Sequence, residues 1–403
     1  MRDIATAIFV VLAAFLVLLL VLRLTIGRRA FRLPPRPRPR RIVVIGVGGA
    51  GSNAVDAMIR AKVKGVEFVA CNTDVQALRR SRARTKVQIG HRATGGLGSG
   101  GDPAVGRAAA EEDASRISKV VNRSALVFVA AGLGGGTGSG AAPVVAAIAR
   151  GRGALTVGVA TMPFAFEGQR RAAIAAQAAA ELGSAVNTII AVSNDRLHEV
   201  APDGASLLAA FGEADGILRQ VVDSITQLVS VPGLVNLDFA DLRTVLTDGG
   251  SAAFGVGRSR GDDRTIDAAR QAIGSPLLER GVEGARSILF HIAGPENLRL
   301  AEVRQAADTI RASADPEANV IFGATVDRRL KHDVQVTVLA TGTDRGAGLD
   351  QVPVPAEMGT AAASEPTPAD AADLEVPTFL RAPKRGRRQS GVRTPSAGQP
   401  GAG

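Results

Sequence analysis

From residue 41 onward the apolar positions of the chain follow two alternating rhythms. Short runs rich in β-branched residues, 42–45, 66–71 and 125–131, read as buried strands. The stretches 53–61 and 141–149 space their apolar residues as helices do. Strand, glycine turn, helix and strand make a βαβ unit, which predicts a parallel sheet covered by helices. Over 205–230, Phe211, Ile217, Leu218, Val221, Val222, Ile225 and Leu228 keep a helical spacing and predict one long central helix. The segment 231–241 then turns into another helix. Runs 287–291, 319–326 and 334–341 predict strands and 296–313 contains a helix, so 252–342 reads as a smaller α/β domain around a mixed sheet. The folded part therefore divides into 41–204, the helix 205–230, and 231–342.

A different pattern precedes it. Residues 4–22 are apolar at all 19 positions except Thr6, enough for a helix of about 28 Å. A cleaved signal peptide carries its positive charge in front and small residues behind. Here Arg2 and Asp3 cancel in front and arginines follow. The expectation is an uncleaved transmembrane helix with its N-terminus outside, which places the remainder on the cytoplasmic side of the inner membrane. Alternating Pro and Arg make 23–40 a semi-rigid basic spacer.

Charge sharpens this division. The net charge of +10 sits on two flanks: eight Arg and no acid from Arg23 to Arg41, and six basic residues and no acid from Arg381 to Gly403. Without them residues 42–380 carry −4. The flanks suit anionic headgroups or acidic partners. The chain has no Trp or Tyr and 13 Phe, which argues against a stacking platform for single-stranded nucleic acid; no nucleic-acid partner is expected. The single cysteine, Cys71, forbids an intrachain disulfide and falls in an apolar run as a small core residue. His91, His198, His291 and His332 are spread without metal-ligand spacing, so no protein-held metal is expected.

The chemistry lies in three glycine clusters: 46–51, 95–101 and 132–140. Each feeds a predicted helix, so backbone N–H groups and helix starts would cradle several phosphates. The first cluster alone also fits a dinucleotide-binding Rossmann oxidoreductase, which needs only one such turn. The Gly-Lys-Ser/Thr of a P-loop is missing.

Gly134-Gly-Gly-Thr-Gly-Ser-Gly140 resembles the signature loop of the tubulin/FtsZ family. Asn72-Thr-Asp74, Pro163-Phe-Ala-Phe-Glu-Gly168, Asn194-Asp-Arg196 and Asn236-Leu-Asp-Phe-Ala-Asp241 resemble further family segments in the family's order, over about residues 41–342. The resemblance implies a Rossmann-like GTPase domain, a long central helix and a second α/β domain. It implies that Gly48, Gly49, Ala50 and Gly51 meet the α- and β-phosphates, with Asn53 near the base. Asn72, Asp74, Gly98, Ser99 and Gly100 would surround the γ-phosphate, and Gly135, Gly136, Thr137 and Gly138 would cradle the phosphates. Glu167 and Arg171 would reach the ribose and phosphate region, Asn194 and Asp215 would read guanine, and Phe211 would stack on it. Ala50 stands where many members have glycine. A carboxylate such as Asp215 accepts from both N1–H and the amine of guanine, a donor pair that adenine lacks.

The resemblance further implies head-to-tail polymers in which Asp238 and Asp241, supported by Asn236, orient the water that attacks a neighbour's GTP, with Mg2+ accompanying the nucleotide. Residues 343–372 read as a disordered linker. Asp373 to Arg381 resembles the family's tail peptide for division partners, and the basic run 384–388 follows it. The expected function is a membrane-anchored, self-assembling GTPase of cell division. The rivals are a non-catalytic GTP-binding scaffold, a paralogue that modulates another polymer and, more distantly, a Rossmann oxidoreductase binding NAD.

Overall fold

The computed structural model describes residues 40–199, 206–230, 238–247, 250–275 and 284–342, together with 13–18 and the single positions 235 and 282. Beyond the helical 13–18, eleven helices and ten strands of the described residues follow in chain order. The first half contains β1 Ile42–Val47, α1 Gly48–Arg60, β2 Glu67–Asn72, α2 Val75–Arg80, β3 Thr85–Gln88, α3 His91–Thr94, α4 Pro103–Glu112 and α5 Ala114–Val121. It continues with β4 Leu126–Gly132, α6 Gly136–Gly151, β5 Leu155–Met162, α7 Gln169–Ala185 and β6 Thr188–Ser193. After α8 Leu207–Ser230 and α9 Phe239–Thr247 come β7 Gly250–Ser259, α10 Arg264–Ile273, β8 Ser287–Gly294, α11 Leu300–Ala312, β9 Asn319–Val326 and β10 Val334–Thr341.

The strands form one sheet in the order β3-β2-β1-β4-β5-β6-β7-β10-β8-β9. From β3 to β6 all pairs are parallel. That sheet is buried on both faces, which is why its strands read as unbroken apolar runs. Val44, Phe128 and Val157 pack on one face beneath α1, α8 and α9, with Leu218, Val221 and Leu242 among their neighbours. Val43, Ile45, Val127 and Val129 pack on the other against Ala142 and Val145 of α6 and Leu182 of α7.

The second half joins through only two registered pairs between β6 and β7, Thr188↔Gly250 and Ile189↔Ser251. Beyond them β7, β10 and β8 are antiparallel and β9 is parallel to β8, so the sheet is mixed as expected. Leu289 and Leu339 face the core shared with α8, while Ile288, Phe290 and Val336 lie with Ala268 of α10 and Ile310 of α11.

Two readings are corrected, and a third falls outside the described residues. Helices α1 and α6 begin at Gly48 and Gly136, five residues ahead of 53 and 141, because the glycine turns themselves form the first helical turn. The second half is not a separate sheet, since β7, absent from the periodicity reading, pairs with β6 and so joins it to the first. The expected span 4–22 lies outside the described residues except for the helical 13–18, where Phe15, Leu16, Val17 and Leu18 are exposed. Among the described residues no helix is long and apolar enough to cross a membrane.

Candidate functional site

In a parallel sheet the loops that follow the strands all emerge at one edge, and ligands bind there. The ends of β1, β4, β5 and β6 converge on a cavity of about 410 Å3. Helices α1 and α6 start at its wall, and neither N-cap, Val47 or Gly135, supplies a side-chain acceptor to the first turn. Neither first turn carries an acid. Two helix starts with unfilled N–H groups therefore face one cavity, an arrangement that favours phosphate.

The turns interlock closely. Gly48 has φ +74°, and a Cβ there would lie 2.9 Å from the Gly138 nitrogen. A Cβ on Gly136 would lie 2.3 Å from Ser99 Oγ and 2.6 Å from the Asp102 nitrogen. Between the turns runs a chain of buried hydroxyls: Thr73 Oγ1 lies 2.7 Å from Thr137 Oγ1, which lies 3.0 Å from Ser99 Oγ. Asp102 caps α4 by accepting from the Ala104 nitrogen at 2.8 Å, with Pro103 opening the helix.

At the other end of the cavity Asn194 is buried, and its Oδ1 has no hydrogen-bond partner among the described residues. An orphaned buried acceptor of this kind is costly unless a ligand supplies the donor. Asp215, on α8, also lines the cavity, and burial pushes its carboxyl up to about 6, with Arg60 opposing and Asp56 adding to the rise. Phe211, 41% exposed, stands edge-on to Phe164 with ring centroids 5.4 Å apart. Glu167 pairs with Arg171 and accepts from the Phe164 nitrogen at 3.0 Å, which holds that corner of the wall.

The cavity thus gathers Gly49, Ala50, Asn53, Ser99, Gly100, Gly135, Gly136, Thr137, Gly138, Glu167, Arg171, Asn194, Phe211 and Asp215. Gly48, Gly51, Asn72, Asp74 and Gly98 do not line it; they build its wall from behind. Asn72 Oδ1 accepts from the Asp74 nitrogen at 3.2 Å, and Asp74 Oδ1 accepts from Gln76 and Ala77, so both side chains are spent on the turn into α2. A bridge from Asp74 to Leu97 ties that turn to the 95–101 loop. Sequence reasoning missed Gly101, Gly132, Leu133, Thr161, Pro163 and Ala214. Gly132 and Thr161 end their strands at the cavity edge or lie one residue short of doing so, a signal that topology supplies once the strands are drawn.

Asp238 and Asp241 sit elsewhere. The Asp238 nitrogen donates to Asp241 Oδ2 at 3.1 Å, which caps α9. The Arg40 guanidinium carbon lies 4.6 Å from the Phe239 ring centroid, and Thr188 Oγ1 donates to the Leu246 carbonyl at 2.5 Å. Arg40 precedes β1 and Thr188 opens β6, so α9 lies at the starts of the strands whose ends hold the cavity. Helix α8 connects the two levels, and its 24 residues span about 36 Å. Asn236, the tail peptide 373–381 and the basic run 384–388 lie outside the described residues.

Among the described residues no group of three or more His, Cys, Asp or Glu is placed to hold a metal. Cys71 is buried, and burial pushes its thiol up to about 12. His291 is buried against Thr325 Oγ1 at 3.1 Å, and burial lowers its pKa to about 4.

Residues 41–202 match the tubulin/FtsZ family GTPase domain and 250–344 the FtsZ family C-terminal domain. The fold superposes on an empty FtsZ dimer of M. jannaschii with a TM-score of 0.73 and 40% identity, over 77% of this chain and 90% of that one. A point mutant of the same FtsZ gives 0.72 and 39%, over 81% and 94%. A GTPγS-bound protofilament of CetZ2 from Haloferax volcanii shares the fold at 0.64 and 24% identity, over 76% and 94%.

Proposed function

The chain belongs to the tubulin/FtsZ family, and on that premise we propose that it binds GTP in the strand-end cavity, stacks head to tail and hydrolyses GTP at the junction between subunits. The observation that carries this reading is the separation of two halves of one chemistry. An anion cradle and a base-reading end occupy one edge of the sheet, and a pair of carboxylates occupies the other.

Phosphoryl transfer needs the phosphates held, the developing charge stabilised and a water placed in line. The starts of α1 and α6 would hold and stabilise the phosphates. Asn194 and the ionised Asp215 would take the polar edge of guanine while Phe211 covers its face. Among the described residues two carboxylates line the cavity: Glu167, which is paired with Arg171, and Asp215, which this reading assigns to the base. A neighbour's Asp238 and Asp241, with Asn236, would place the water. Mg2+ would travel on the triphosphate, coordinated by phosphate oxygens and water.

The sequence of 4–22 supports a single membrane span in the inner membrane, with the basic spacer 23–40 holding the GTPase just off the cytoplasmic face. The tail 373–381 supports docking of division proteins, and together these give a role in septum formation. The test is GTP turnover by the full chain across a range of concentrations. Activity per molecule should rise steeply as subunits begin to meet. Turnover strictly proportional to protein throughout would refute the shared site, and tight GTP binding without turnover would favour a scaffold.

A further inference from the structure

The connections that open the edge strands carry an unusual charge. Between residues 57 and 94 nine basic side chains face two acids, within a folded region, 42–342, whose total is only +2. Arg60, Lys62 and Lys64 lie just before β2, and Arg80, Arg82 and Arg84 just before β3. All six are exposed, and none makes an ion pair among the described residues. The nearby acids are engaged: Glu67 with Arg41, and Asp56 with Ser81 Oγ at 2.8 Å and the Arg82 nitrogen at 2.7 Å.

Because β2 and β3 run parallel, both connections project at the strand starts, and β3 is the last strand of the sheet. We propose that this basic corner is a contact surface for an anionic phospholipid membrane, separate from any transmembrane helix. The chain enters the fold at the same level, two strands inward, about 10 Å from the free edge. That entry is fixed: Arg41 grips Glu67 through two nitrogens, at 3.0 and 2.7 Å, and donates to the carbonyls of Val120 and Asn122. The spacer of 23–40 reaches at most about 56 Å when fully extended as polyproline. A bilayer at its far end is thus held at high effective concentration beside the corner. The corner lies at the sheet edge, four strands from β5, on which α9 packs. The tethering argument rests on 4–22 spanning the membrane; the charge pattern does not.

The test uses the full chain reconstituted in vesicles, with a donor dye on Ala61→Cys and an acceptor on the lipid headgroups. Ala61 is exposed, and the buried Cys71 stays unlabelled. Energy transfer should be higher on vesicles of phosphatidylcholine with 30% phosphatidylglycerol than on phosphatidylcholine alone, and 0.5 M NaCl should abolish the gain. Each basic residue removed should weaken contact about five-fold, so Arg80→Ala/Arg82→Ala/Arg84→Ala should lose the gain. Equal transfer on both lipids, or a triple variant that keeps the full gain, would overturn the proposal. So would a salt-sensitive signal already present on phosphatidylcholine, which would mark an acidic protein segment as the occupant. Failure of the span reads out separately, as protein that does not float with neutral vesicles. Flotation on anionic vesicles then tests the corner, and the wild type should float where the triple variant does not.

Discussion

Thr73 and Thr137 share a hydrogen bond of 2.7 Å between their hydroxyls, which joins the turn after β2 to the first turn of α6. Thr73 is fully buried, so its hydroxyl has no other reason to be tolerated there. Thr73→Val keeps the shape and removes the bond. It should cost about 1 kcal/mol of stability. It should also lower GTP affinity about five-fold, through a looser cradle. Titration with a fluorescent nucleotide checks this, and affinity unchanged in both Thr73→Val and Thr137→Val would discount the hydroxyl chain.

Gly135 and Gly136 should respond differently to a side chain. A Cβ on Gly135 meets nothing within 4 Å, and its extended backbone suits an N-cap. Gly135→Asp should therefore fold and even gain roughly 0.5–1 kcal/mol by capping α6, while losing GTP because its carboxylate takes the phosphate position. Gly136→Ala should destabilise the fold itself, since its Cβ meets the Asp102 backbone. Thermal melts paired with nucleotide binding separate the two.

Asp238→Ala should bind GTP normally and lose hydrolysis by at least about a hundred-fold, because in the proposed filament its carboxylate would serve another subunit's nucleotide. Mixed with Gly135→Asp, which keeps an intact α9, it should recover part of the activity. A mixture as inert as its parts would count against a site built from two subunits.

The pH dependence of binding should report Asp215. Its pKa of about 6 in the empty protein means that acidification through pH 6 protonates the carboxyl and would remove the proposed acceptor for guanine. Affinity should fall by up to about ten-fold for each pH unit below 6, and binding near pH 6 should release protons. Asp215→Asn should bind weakly with a flat profile, measured by calorimetry in buffers of different ionisation enthalpy.

Much of this site was legible because glycine clusters and apolar runs are local signals. Strand ends followed from them, and with those the cradle, although its two helices begin five residues earlier than their apolar spacing indicates. Less legible was residue type where one type serves two purposes. Asn72 and Asp74 read as phosphate contacts, yet short polar side chains after a strand also build turns and caps, which is what they do here. Leu133, Pro163 and Ala214 carry no chemical signal and line the cavity only by position. Strand β7 was hidden by Gly250, Gly255 and Gly257, which dilute its apolar alternation; at Gly257 the helix α10 packs so closely that a Cβ would lie 2.0 Å from the Ala268 carbonyl oxygen.

The placement of the cavity and α9 at opposite edges of the sheet has a kinetic corollary for a polymer of such subunits. Every bound nucleotide inside the stack is covered by a neighbour's acids, but the last subunit at the open-cavity end has no neighbour to cover it. Its GTP should outlive all the others. The two tips of a filament would then age differently, one always wearing fresh nucleotide and the other bare acids, and growth and decay would be governed by which tip is exposed.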